Sequence, residues 1–98
     1  MQDTDTYRAH IFISGKVQGV GFRYQLQQTA RRLNLGGWVR NRRDGRVEAV
    51  LIGSRQNVDA GIAWAKQGVP PAEVTDVAIL EIQPCPLVSS QFVIEDTL

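Results

Sequence analysis

The segment Gly15-Lys16-Val17-Gln18-Gly19-Val20-Gly21-Phe22-Arg23 constrains this chain more than any other. Three glycines within seven residues permit backbone of positive φ and close approach to a ligand, so the stretch reads as a loop that presents peptide N–H groups. Ile11 and Ile13 precede it in alternation, and a helical apolar pattern follows. A strand, a glycine loop and then a helix set the free N–H groups of the helix start beside the loop, where the helix dipole favours an anion. Gly21 falls at the expected N-cap and has no side-chain oxygen to satisfy those groups, as Ser, Thr, Asp or Asn would. Arg23 falls in the first turn, where a cation opposes the dipole at a cost of about 0.3–1 kcal/mol unless an anion is near. An ordinary flexible connection accounts for the glycines alone, but not for the missing cap and the arginine together. A bound phosphate accounts for both. Two familiar phosphate loops do not fit: the Gly-Lys-Ser/Thr ending of the P-loop is absent, and Tyr24 stands where the dinucleotide fingerprint needs its third glycine.

A second segment, Gly37-Trp38-Val39-Arg40-Asn41 followed by Gly45, Val47 and Gly53, joins the first. Together the two resemble the signature of the acylphosphatases, in residues and in spacing. The motifs run from Gly15 to Gly53, and the length and order of the remaining elements are similar to the family's.

Ninety-eight residues, 43% hydrophobic, suit one domain with a single core. Residues 1–6 read as a polar tail, with two Asp and no apolar stretch of the kind a signal peptide needs, and 7–98 as the domain. A net charge of +1 gives no global field of the kind that marks a general nucleic-acid binder, so no nucleic-acid partner is expected. No segment approaches the roughly 20 apolar residues of a membrane span, and no membrane association is expected. The single cysteine, Cys85, has no partner for an internal disulfide and reads as a bystander, which makes the cytoplasm the simplest compartment.

Alternation over about Tyr7 to Ser14 predicts a strand with Ala9, Ile11 and Ile13 on one face and Arg8, His10 and Phe12 on the other. His10, the only histidine, has no visible partners as a base or metal ligand and reads as a bystander on the less covered face. Phe22, Leu26, Ala30 and Leu33 predict an amphipathic helix over about Phe22 to Leu35, ended by Gly36 in a left-handed cap. A hairpin follows, about Gly37 to Arg42 and Arg46 to Gly53, turning through Arg43-Asp44-Gly45, with Val47, Ala49 and Leu51 facing the core. Arg40, Arg42, Arg43 and Arg46 cluster at that turn and read as a solvated edge that discourages aggregation. Asn41 is disfavoured in a strand, so it either makes hydrogen bonds or marks the strand's end.

A second helix is expected over about Gln56 to Gln67, in contact through Val58, Ile62, Trp64 and Ala65. Gly61 at its centre costs about 1 kcal/mol relative to Ala unless a bulky neighbour such as Trp64 or Trp38 packs against it. About Glu73 to Ile82 does not alternate cleanly, which predicts a bulge or bend. After a fairly long loop, Gln91 to Glu95 supplies a short last strand with Phe92 and Ile94 on one face. The order βαββαβ gives a ferredoxin-like α+β sandwich, an antiparallel sheet with two helices on one face. Phe12, Val50 and Ile52 share its open face, a hint of a partner.

What the resemblance implies is hydrolysis of acyl phosphates, the mixed anhydrides of carboxylic and phosphoric acids, to carboxylate and inorganic phosphate. In the family the loop N–H groups and its arginine hold the phosphoryl group, and an asparagine on the adjacent strand orients the attacking water. Carried onto matching positions, the catalytic residues are Arg23 and Asn41, and the phosphate-binding residues are Gln18, Gly19, Val20, Gly21, Phe22 and Arg23. Such a reaction asks mainly for positioning and charge stabilisation, and a carboxylate leaving group needs little acid help. No cofactor or metal is expected, inorganic phosphate should act as product and competitive inhibitor, and a monomer is expected. No general base presents itself, and the substrate's own phosphate could serve. Two departures from the family, Gly68-Val69-Pro70-Pro71 after the second helix and the tail Glu95-Asp96-Thr97-Leu98, bear on C-terminal packing. The alternative is a non-catalytic ferredoxin-like binding module for RNA or a small anionic ligand. RNA modules of this topology stack bases on aromatics of the central strands, whereas Arg46 to Gly53 contains none.

Overall fold

The computed structural model describes residues 6–86 and 91–98. The expected tail, apart from Thr6, and residues 87–90 of the long connection lie outside the described residues. The elements are β1 (Thr6–Lys16), α1 (Phe22–Arg32), β2 (Gly36–Asn41), β3 (Val47–Ser54), α2 (Arg55–Gln67), β4 (Glu73–Pro84) and β5 (Phe92–Ile94). The sheet order is β4-β1-β3-β2-β5. Its first four strands are antiparallel neighbours, the expected ferredoxin-like arrangement, and β5 adds in parallel beside β2. The sheet is therefore mixed rather than wholly antiparallel. The described helices are too short and too polar for any of them to cross a membrane.

Alternation in β1 places Ala9, Ile11 and Ile13 under the helices, opposite Leu51, Ala49 and Val47 of β3. Phe22, Leu26 and Ala30 of α1 and Val58, Ile62 and Ala65 of α2 close this core, with the Phe22 and Trp64 rings 5.5 Å apart. The irregular pattern of β4 is a register shift: His10 pairs with Glu81 but Ile11 with Ile79, and Leu80, skipped between them, is exposed. A second shift follows at Gly15, where a Cβ would lie 2.2 Å from the Glu73 carbonyl oxygen.

Helix α1 ends earlier than the spacing predicts. Arg32 is its last residue, and the left-handed position falls on Asn34 (φ 56°) rather than Gly36, which already belongs to β2. The bonds from Leu35 N to Ala30 O, 2.8 Å, and from Asn34 N to Arg31 O, 3.2 Å, form a Schellman cap, which asparagine can provide. Leu35 can then turn into the core, where it meets α2. A Cβ on Gly53 would lie 2.7 Å from its Cδ2 and one on Gly61 3.0 Å from its Cδ1, so Leu35 occupies a slot between two glycines. The bulky neighbours of Gly61 are thus Leu35 and Leu51, not a tryptophan.

The opposite face of the sheet carries its own cover. Phe12, Val50 and Ile52 lie there as expected, yet Val50 is buried. The Phe12 and His10 rings stack at 5.4 Å, His10 meets Trp38 at 6.0 Å, and the outer rings are capped by Arg46 (4.3 Å over Phe12) and Arg40 (4.7 Å over Trp38). The chain's own guanidinium groups thus lie over two rings of the face on which the apolar residues hint at a partner.

Gly61→Ala tests the packing of Leu35. Less backbone freedom in the unfolded chain favours Ala by about 0.4–1 kcal/mol, but overpacking costs about 1–3 kcal/mol. An added methyl would need Leu35 Cδ1, 3.0 Å away, and Leu51 Cδ1, 3.1 Å away, both to give by a few tenths of an ångström, and with Leu35 also held against Gly53 overpacking is expected to dominate. The variant should show a lower urea midpoint with unchanged slope; a higher midpoint would mean that the two leucines yield.

Candidate active site

Strand β1 stops at Lys16, the buried Val17 pins the chain to the core, and the backbone turns over residues 18–21 into α1. The turn needs left-handed backbone at Gly19 (φ 74°) and Gly21 (φ 80°), which glycine supplies without steric cost. Gly21 is the N-cap of α1 and makes no side-chain capping bond, and the first turn holds no acidic residue. The first helical bond runs from Gln25 N to Gly21 O, 3.0 Å. Among the described residues, no backbone N–H from 18 to 23 donates a hydrogen bond. Arg23, half-buried, has no ion pair or hydrogen bond among them either.

A pocket of about 180 Å³ opens at this point. Gly19, Gly21, Phe22 and Arg23 line it together with Val17, Tyr24 and Ile94. Four of the six expected phosphate-binding residues thus meet, while Gln18 and Val20 do not line the pocket. Val20 packs against the core. The Gln18 side chain turns to the hairpin, where its Nε2 donates to Arg42 O at 2.7 Å and Arg46 O at 2.8 Å. Tyr24, 59% exposed, and Ile94, 40% exposed, give the pocket an apolar rim that sequence reasoning did not identify.

Asn41 is the last residue of β2 and is not part of the pocket lining. Val39, two residues earlier, is in register with Ile94, so Asn41 lies one pleat, roughly 7 Å, beyond the pocket wall on the same face. Its Oδ1 is buried and has no hydrogen-bond partner among the described residues. An orphan acceptor of this kind is rare and calls for a reason. The C-terminal tail runs alongside, with Glu95 N donating to Val39 O at 2.8 Å and Leu98 N to Asn41 O at 3.1 Å.

Of the four hairpin arginines expected to form a solvated edge, Arg43 is exposed, whereas Arg40, Arg42 and Arg46 are partly buried and paired. Glu48, whose side chain is 4% exposed, accepts from Arg40 Nε at 2.9 Å and Arg42 at 3.2 Å on one oxygen, and faces His10 Nε2 at 2.5 Å with the other. Arg46 pairs instead with Asp44 at 2.7 Å. His10, expected to be a bystander, is therefore part of a buried polar cluster. The signal was an acidic residue within a basic hairpin, and alternation alone could not say that its face would be covered. Burial by itself would raise the Glu48 pKa; the hydrogen bonds from Arg40 and His10, and their charges, outweigh it and hold the carboxyl below its ordinary 4.5.

Comparison with known proteins identifies the family. The acylphosphatase family model matches residues 9–94. A curated acylphosphatase of Trichormus variabilis is 54% identical over 72 residues, covering 74% of this chain and 71% of that one. The acylphosphatase of Thermococcus kodakarensis is also 54% identical over 72 residues, covering 74% and 79%. The crystal structure of acylphosphatase from Bacillus subtilis superposes with a TM-score of 0.85 at 36% identity, covering 91% of this chain and 98% of that one. The chain belongs to the acylphosphatase family. Family and fold together support hydrolysis of acyl phosphates as its activity.

Glu48→Gln should cost about 1–3 kcal/mol at neutral pH by weakening bonds to two arginines. Because the folded pKa lies below the unfolded one, the stabilisation is complete above the ordinary value of 4.5 and fades as pH falls through the folded value. The gap in urea midpoint between wild type and variant should accordingly shrink below about pH 4.5. A gap independent of pH would show that the charge of Glu48 contributes nothing.

Proposed function

We propose that the pocket at the start of α1 holds the phosphoryl group of an acyl phosphate and that Asn41 orients the water that attacks it. The observation that carries this reading is the combination, among the described residues, of uncapped N–H groups over residues 18–23 and an unpaired Arg23 beside a pocket that Gly19, Gly21, Phe22 and Arg23 line. An anion there satisfies the donors, the dipole and the arginine at once.

In the reaction, loop N–H groups and the Arg23 fork bind the non-bridging phosphoryl oxygens and stabilise charge on them as the transition state forms. The side-chain amide of Asn41 hydrogen-bonds the water, once its Oδ1, buried in this conformation, turns toward the pocket, and so aims a water lone pair at phosphorus. The oxygen–phosphorus bond to water forms as the bond to the acyl oxygen breaks. The carboxylate leaves with the bonding electrons, and the water proton passes to a phosphate oxygen or to solvent. The acyl group lies against the apolar rim of Tyr24 and Ile94. Inorganic phosphate occupies the same cradle as product and competes with substrate. The enzyme works without metal or cofactor, as a monomer whose open sheet face is covered by its own arginines, in the cytoplasm. That same cover occupies Phe12 and Trp38, so they are not offered for base stacking, which weighs against an RNA-binding module.

The test is turnover of an aromatic acyl phosphate in excess EDTA, with Arg23→Ala beside the wild type. The variant should lose measurable hydrolysis and bind inorganic phosphate more weakly, and Arg23→Lys should recover little because a point charge does not reproduce the fork. No turnover by either protein would overturn the reading, and near-full activity in the Lys variant would overturn the fork geometry.

Asn41→Ala should separate chemistry from binding. Turnover should fall on the order of 10²- to 10³-fold while inhibition by phosphate stays nearly unchanged. Equal losses in both would make Asn41 a phosphate ligand or a structural residue.

A further inference from the structure

Gln18 stands out because its side chain leaves the site to which its backbone belongs. Both hydrogens of its amide are used, one on Arg42 O at 2.7 Å and one on Arg46 O at 2.8 Å. Arg46 O also accepts from Arg42 N at 2.8 Å, so the amide seals the mouth of the hairpin just beyond Asn41–Val47, the last residue pair of β2 and β3. Among the described residues, this is the one side chain that hydrogen-bonds the loop of residues 17–21 to the hairpin. Among the described residues the side chain of Asn41 makes no hydrogen bond of its own. The spacing between loop and Asn41 thus rests on backbone placement, and Gln18 bridges the loop to the residue directly after Asn41.

We infer that Gln18 is a positioning residue: its side-chain amide fixes the distance between the phosphoryl group in the loop and the water on Asn41. The inference rests on the mechanism proposed above. Small errors in the placement of reacting atoms cost large factors in rate, whereas phosphate, held by the loop and Arg23 alone, is indifferent to where Asn41 lies. Loss of the bridge therefore reduces kcat and leaves phosphate affinity in place.

A double-mutant cycle tests this, with Gln18→Met removing both donors at nearly constant volume. Gln18→Met should lower kcat on the order of 10-fold and change the inhibition constant of inorganic phosphate by less than about 3-fold. In the Asn41→Ala background the same substitution should lower kcat by less than about 2-fold, because no positioned water is left to misplace. Losses that multiply in the double variant would overturn the inference while leaving the proposed function intact. So would a rise in the phosphate constant that matches the fall in kcat, since Gln18 would then shape the cradle itself. A wild type without turnover, or Asn41→Ala with equal losses in kcat and phosphate binding, would instead refute the mechanism on which the inference rests, and the inference with it. Should Gln18→Met fail to fold, Gln18→Glu carries the same cycle, since it keeps the length and sets acceptors against two carbonyls. Failure of both to fold would make the side chain a requirement of stability and overturn the positioning role.

Discussion

The turn from β1 into α1 is the constraint on which the site depends. β1 is an inner strand, paired on both sides, and α1 must start close above its end. Residues 17–21 are all the chain has to reverse direction, and they do so through left-handed backbone at two glycines. A residue with a Cβ at either point would strain the turn, and a capping side chain at Gly21 would occupy N–H groups that have no acceptor among the described residues. The uncapped helix start is thus a by-product of connecting a strand to a helix in so few residues. At the preceding Gly15 the approach of β4 admits no Cβ, which anchors the loop's first residue to the sheet.

The second half of the site depends on a different interaction. β2 reaches Asn41 at its last residue, where strands ordinarily fray, and three devices hold it there. Glu48 gathers Arg40 and Arg42, the two neighbours of Asn41, on the open face. The chain's final residues hydrogen-bond along the outer edge of β2. The Gln18 amide closes the end of the hairpin. An asparagine whose buried oxygen has no partner among the described residues stays in place because its neighbours are fixed by charge, by backbone and by the opposite loop.

Much of this was legible in one dimension. Alternation in β1 and β3 and the 3.6-residue spacing of α1 and α2 place the core residues correctly, since a period read off a sequence maps directly onto a face. Uncapped Gly21 and misplaced Arg23 were visible because they violate local rules, and local violations need no tertiary information to be seen. The left-handed residue after α1 was misassigned because both glycine and asparagine tolerate that backbone, and Asn34 comes first in the chain. The cover on the open face was out of reach, because nothing in the period of β2 or in the turn that follows it tells whether Arg40 and Arg46 extend into water or fold over the rings of Trp38 and Phe12.

By itself the sequence determined the element order, the inward faces, the glycine loop with its free donors and the family. These follow from spacing and from residue types whose conformational limits act within a few positions. Only the tertiary structure decided that β5 joins in parallel beside β2, that Leu35 fills a slot between Gly53 and Gly61, that Glu48 is buried among arginines and His10, and that Gln18 reaches across to the hairpin. Each of these joins residues distant along the chain, and contacts of that kind are set by how the sheet twists and packs, which no local pattern records.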